Sequence, residues 1–132
     1  MTDAPSRRIV VVEDHADARA ALEMVLHLDG HRVRTVGDGR EAVEVILAEQ
    51  PDVALIDIGL PGIDGHEVAR RLRAAPEGRD LVLVALTGYG RPDDARRALE
   101  AGFDAHLVKP VDVDELSRVL ARLGGRPKPD AS

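Results

Sequence analysis

The sequence predicts an α/β domain with a mostly parallel sheet. Two observations carry this: five short apolar runs alternate with five helical patterns, and four of the runs are apolar without a break or nearly so. Strict alternation of strand and helix implies a sheet with helices on both faces. Unbroken apolar strands are those covered on both sides. A chain of 132 residues has room for one such domain and can bury its core without disulfides or structural metals.

The first run covers residues 9–12, and the first helical pattern follows in Ala18, Ala21, Leu22, Val25 and Leu26 at i, i+3, i+4, i+7 spacing. The second run, 33–36, holds Arg34 and Thr35 in its middle, which places it at an edge of the sheet. Ala42, Val43, Ile46 and Leu47 make the second helical stripe, followed by the run 53–56. Val68, Ala69 and Leu72 make the third, followed by the run 81–86. The fourth helix, over 93–101, has a small apolar face of Ala95, Ala98 and Leu99, and its start is marked by Pro92, a good first-turn residue. After the run 105–108 come Leu116, Val119, Leu120 and Leu123, with Asp112 and Glu115 spaced as a capping box. Right-handed crossovers follow from strand and helix handedness. Residues 124–132 have no apolar periodicity and read as a flexible end or linker, so the predicted domain is 7–123.

Composition narrows the function. Apolar residues are 44% and charged residues 32%, as in folded globular proteins. Tyr89 and Phe103 are the only aromatics, so the core must be aliphatic. A net charge of −6 argues against a nucleic-acid-binding module. Without cysteine there are no disulfides, thiolate nucleophiles or Cys-based zinc sites. Residues 1–8 lack an apolar stretch, and the run 81–86 is far too short to span a bilayer. The expectation is a cytoplasmic domain without a membrane segment.

In open α/β sheets, ligands bind beyond the carboxyl ends of the strands. Glu13 and Asp14 follow the first run, Asp57 the third, Thr87 and Gly88 the fourth, and Lys109 and Pro110 the fifth. Each has an ordinary explanation alone: acidic residues favour a helix N-terminus, and an Asp or a Thr-Gly pair suits a turn. Together, at one sheet edge, they describe a site. Three carboxylates repel one another unless a cation intervenes. Oxygen-only ligands favour Mg2+ or Mn2+ over zinc. An Asp sharing that cation with a phosphoryl group can form an acyl phosphate. The cation and Lys109 would offset charge on the transferring oxygens, and the Thr87 hydroxyl would donate to the new phosphate.

Residues 9–14, 55–65 with Asp57 and Gly59, 85–88 and 108–110 resemble the receiver domain of bacterial response regulators and hybrid histidine kinases. The resemblance covers about residues 7–123. It implies that Asp57 is the phosphoacceptor, that Glu13, Asp14 and Asp57 bind Mg2+ with the backbone carbonyl of Gly59, that Thr87 is the switch hydroxyl, and that Lys109 contacts the acyl phosphate. It also implies a cis bond between Lys109 and Pro110. The implied fold is flavodoxin-like, (βα)5, with strand order 2-1-3-4-5; chemotaxis receivers are themselves the standard illustration of that order, which is taken over from the family.

Further implications concern signalling. The donor would be a histidine kinase or histidine phosphotransfer protein, and the face after strands 4 and 5 would meet a partner, with the chain a monomer or weak dimer. Such a module is not an enzyme in the ordinary sense, although it supports its own phosphotransfer and dephosphorylation. Family members commonly carry Tyr or Phe where His106 stands, so His106 is either the switch ring or a surface residue. Gly59 places no side chain beside the phosphate. Arg96 and Arg97 read as solvated charge on a partner-facing helix, and His15, His27, His31 and His66 as solvated or locally bonded. Rival readings are a haloacid-dehalogenase-type phosphatase, which wants a second Asp where Gly59 stands; a receiver reduced to docking; and a flavodoxin, whose phosphate loop would not be acidic.

Overall fold

The computed structural model describes residues 6–88 and 92–124. Five parallel strands form one sheet in the order β2-β1-β3-β4-β5. They are β1 (Arg8–Val12), β2 (Arg32–Val36), β3 (Val53–Asp57), β4 (Val82–Thr87) and β5 (Ala105–Val108). The helices are α1 (Ala16–Leu28), α2 (Gly39–Glu49), α3 (Gly65–Ala74), α4 (Pro92–Ala101) and α5 (Val113–Gly124), with a 3-10 turn at Pro76–Gly78. Gly124, the first residue of the expected tail, is the last residue of α5; the rest of that tail, with Tyr89 and Gly90, lies outside the described residues.

Strand alternation sorts the core into two layers. Val10, Val12, Ala54, Ile56, Leu83 and Ala85 face α2, α3 and α4, meeting Ile46, Val68, Leu72 and Ala98. Ile9, Val11, Val53, Leu55, Val84 and Leu86 face α1 and α5, meeting Leu22, Leu26, Leu116 and Leu120. Each sheet face is therefore sealed by aliphatic side chains, and the polar residues are displaced to the strand ends. Side-chain caps set where helices begin: Asp38 accepts from Arg40 and Glu41, Asp64 from Glu67, and Asp112 from Asp114 and Glu115.

The structure corrects several expectations. Leu99 is 63% exposed, because Ala98 and Ala101 form the inward side of α4, in the same core cluster as Phe103 just beyond the helix. Ala21 is exposed likewise, since Leu22 and Leu26 set the rotation of α1. The strand β5, whose apolar run alone reads as covered on both faces, is the second edge, as the strand order implied by the resemblance has it, with His106 and Val108 exposed. His66 and His31, expected to be solvated or locally bonded, are only 4% and 8% exposed. His31 is held by a residue far away in the chain, its Nδ1 accepting from the Arg7 amide at 3.1 Å. Among the described residues no helix is long and apolar enough to cross a membrane.

Candidate functional site

The parallel sheet brings four chain segments to one edge. Glu13 follows β1 immediately, and its amide donates to the Val36 carbonyl at 3.0 Å, continuing the β1–β2 ladder by one residue. Asp57 closes β3 and Thr87 closes β4. Lys109 follows β5, its amide donating to the Thr87 carbonyl at 2.9 Å. The Lys109–Pro110 bond is cis, as the resemblance implies. All these groups sit on backbone that ladder bonds already hold.

Glu13 is fully buried and Asp57 is 6% exposed, so both carboxylates need partners. Lys109 supplies one: its Nζ donates to Glu13 Oε1 at 2.7 Å and to Asp57 Oδ2 at 3.0 Å. The His15 amide donates to Glu13 Oε2 at 3.1 Å, and the Gly59 amide to Asp57 Oδ1 at 2.9 Å. Carboxylate oxygens of Glu13, Asp14 and Asp57 lie within 4.8 Å of one another. Burial pulls the Lys109 pKa down, but hydrogen bonds and charge from Glu13 and Asp57 outweigh it, and the ammonium is held above its ordinary value. A lysine locked in its charged form suits the task of meeting an anion.

Thr87 is 1% exposed, and its hydroxyl donates to the Leu107 carbonyl in a long contact of 3.4 Å. Asp57 and Lys109 open into a cavity of about 590 Å³, lined also by Asp14, Gly59 and Gly88. His106 is exposed on β5 and does not line that cavity. Sequence reasoning missed five lining residues: His15, Ile58, Asp64, His66 and Arg97. His15 adjoins the acidic pair and Asp64 precedes the α3 glycine, so both had a signal. Arg97 had none, because α4 comes beside the cavity only through the fold.

The donor set fits a hard divalent cation. It offers three carboxylates with the Gly59 carbonyl nearby in sequence, and no thiolate. Asp14 makes no hydrogen bond or ion pair among the described residues, which leaves its oxygens available.

The model of the response regulator receiver domain matches residues 9–121. The chain belongs to that family. Receiver domains are signalling modules of two-component systems. An uncharacterized 14.6 kDa protein of Leptolyngbya boryana is 37% identical over 93% of this chain and 94% of its own length. Transcriptional regulatory protein TcrA of Mycobacterium tuberculosis is 41% identical over 92% of this chain but only 49% of its own, so this receiver spans about half of that regulator. Among solved structures, the receiver domain of sensor histidine kinase PA1611 from Pseudomonas aeruginosa superposes with a TM-score of 0.85 at 34% identity, covering 92% of this chain and all of that one. That structure has a magnesium ion coordinated in its active site cleft.

Proposed function

We propose that this receiver, taken as residues 7–123, accepts a phosphoryl group on Asp57 from a histidine kinase or histidine phosphotransfer protein, and that the modification alters partner binding through the face after β4 and β5. The observation that carries the reading is the convergence of Lys109 on Glu13 and Asp57, with Asp14 alongside. An isolated structural aspartate at a strand end has no need of a buried acidic neighbour and a shared ammonium.

In the proposed reaction an Asp57 oxygen attacks phosphorus and the bond from phosphorus to the donor imidazole breaks, the nitrogen keeping its electron pair. Lys109, 3.0 Å from Asp57 Oδ2, turns to a phosphoryl oxygen. Thr87 gives up its long bond to Leu107 and donates to another. Glu13, Asp14, Asp57 and the Gly59 carbonyl would hold Mg2+, with Mn2+ as an alternative, and the ion would neutralise charge on the phosphoryl oxygens. Glu13 already spends both oxygens on Lys109 and the His15 amide, so it steadies the ammonium as well.

Attack by water on the same phosphorus would return the carboxylate. Gly59 leaves that approach open, and Gly59→Asn changes the lifetime if the side chain there matters. The proposed setting is the cytoplasm, with the chain a monomer or weak dimer and no nucleic-acid contact of its own, in keeping with its net charge of −6. Incubation with Mg2+ and a small-molecule phosphodonor, read by intact mass, should add one phosphoryl group to the wild type and none to Asp57→Asn. Labelling that persists in the variant removes Asp57 from the reaction.

A further inference from the structure

We propose that Arg97 is a phosphate-binding residue of the Asp57 cavity, and that through it α4 responds directly to phosphorylation. The inference rests on Asp57 being the phosphoacceptor.

Four side chains that carry or can carry positive charge line the cavity: His15, His66, Arg97 and Lys109. Lys109 is committed to two carboxylates. His66 is buried edge-on against Phe103, with ring centroids 6.4 Å apart. Arg97 differs. It makes no hydrogen bond or ion pair among the described residues, whereas its neighbour Arg96 turns away to Asp93 at 3.5 Å. A guanidinium offers a planar fork of five donors that matches phosphoryl oxygens two at a time.

Among the described residues a Cβ on Gly88 would meet nothing within 4 Å, and one on Gly59 would meet only Asp57 Oδ1, at 3.5 Å. Two walls of the cavity thus contribute no side chain where the phosphoryl group would stand. Among the described residues of α4, Arg97 alone lines the cavity.

Packing makes α4 able to respond. Its buried anchors are Ala98 and Ala101, while Leu99 points to solvent. Small anchors yield little burial energy, so one charge-assisted contact weighs heavily on where the helix sits. Phosphorylation adds about one negative charge and three acceptor oxygens. Among the described residues, Arg97 is the cavity-lining guanidinium without a partner, and it sits on this lightly held helix. His106 is exposed and is not among the residues that line the cavity.

Beryllofluoride with Mg2+ mimics the phosphoryl group on Asp57, and its affinity can be read by fluorine NMR or calorimetry, since the chain has no tryptophan. Arg97→Ala should weaken binding about ten-fold. Arg97→Lys should recover part of the loss, and Arg96→Ala should bind as wild type. Amide exchange over residues 93–101 should slow on binding in the wild type and not in Arg97→Ala. Wild-type affinity and protection in Arg97→Ala, or an equal loss in Arg96→Ala, overturns the proposal for Arg97 alone. Binding that is absent from the wild type, or unchanged in Asp57→Asn, overturns it together with the reading of Asp57.

Discussion

The Lys109 ammonium donates to Glu13 Oε1 across 2.7 Å, joining residues 96 positions apart in the chain. Glu13 is wholly buried, while the Lys109 side chain is 29% exposed. The carboxylate therefore depends on the lysine far more than the lysine depends on it. Removing an ammonium that pairs a buried carboxylate leaves an uncompensated charge inside the protein. Lys109→Ala should destabilise the fold by about 2 kcal/mol in urea denaturation, a figure reduced for the partial exposure of the pair. Added Mg2+ should narrow the gap between variant and wild type by supplying the missing positive charge. Equal midpoints without the ion would contradict the dependence.

A second prediction concerns pH. Burial holds the His31 pKa below its ordinary 6.5; the charge of Arg7 adds to this and that of Asp29 opposes it. The folded state thus binds the proton less tightly than the unfolded chain. The stability contribution is intact above the unfolded value and is lost as pH falls through it toward the folded one. Replacing His31 by Asn keeps an acceptor for the Arg7 amide and removes the titration. Denaturation between about pH 8 and pH 5 should show the wild type losing more stability on acidification than His31→Asn. Parallel curves would exclude His31 as a source of the slope.

Arg73 should matter as much as any core residue. Its guanidinium donates to the carbonyls of Gly78, Leu81 and Gly102 at 2.7–2.9 Å and to Asp104 Oδ2 at 2.9 Å. Asp104 Oδ2 in turn accepts from the Leu83 amide at 2.9 Å. One side chain of α3 thereby fastens the entry to β4 and the α4–β5 connection. Arg73→Met should cost about 3 kcal/mol, and Arg73→Lys should restore little because a single ammonium cannot span the fork. The web lies at the amino end of β4, opposite Asp57, so Mg2+ affinity should not change in folded protein. A loss below about 1 kcal/mol would mean that water replaces these bonds easily.

Gly65 is a steric requirement of the site. A Cβ there would lie 2.5 Å from the Asp57 carbonyl oxygen and 2.6 Å from Ile58 Cα, both backbone atoms that cannot step aside. The Gly65 amide also donates to the Ile58 carbonyl at 3.2 Å, drawing α3 against β3. Gly65→Ala should cost about 2 kcal/mol and weaken Mg2+ binding, since pushing α3 away displaces the end of β3. Calorimetric titration of the folded variant checks this, and unaltered affinity would show that the strand end tolerates the shift.

Much of the fold was legible in the chain because the two periods are plain. Residues 53–56 and 81–86 are covered on both sides and read as unbroken apolar runs, while Arg34 and Thr35 betrayed the edge at β2. The edge at β5 could not be read from its run alone, since Ala105, Leu107 and Val108 look like a buried run; the strand order implied by the resemblance placed it there, and Leu107 is buried while Val108 is exposed. Leu99 misled for a related reason. Hydrophobicity alone favoured it over Ala98 and Ala101, yet among the described residues of the helix the two alanines are the buried ones and the leucine faces solvent. The acidic residues, Thr87 and Lys109 were found by position, because parallel strands deliver whatever follows them to one edge.

Residue types and strand-end positions are local properties, and the sequence by itself determined the alternating architecture and the acidic, hydroxyl and ammonium groups at its carboxyl edge. Only the tertiary structure decided which oxygen of Glu13 meets Lys109, that His66 is buried on Phe103, and that Arg97 lines the cavity of Asp57. Those relations depend on how far each helix rotates and shifts over the sheet. That is set by the fit of side chains distant in the chain, to which no local spacing is sensitive.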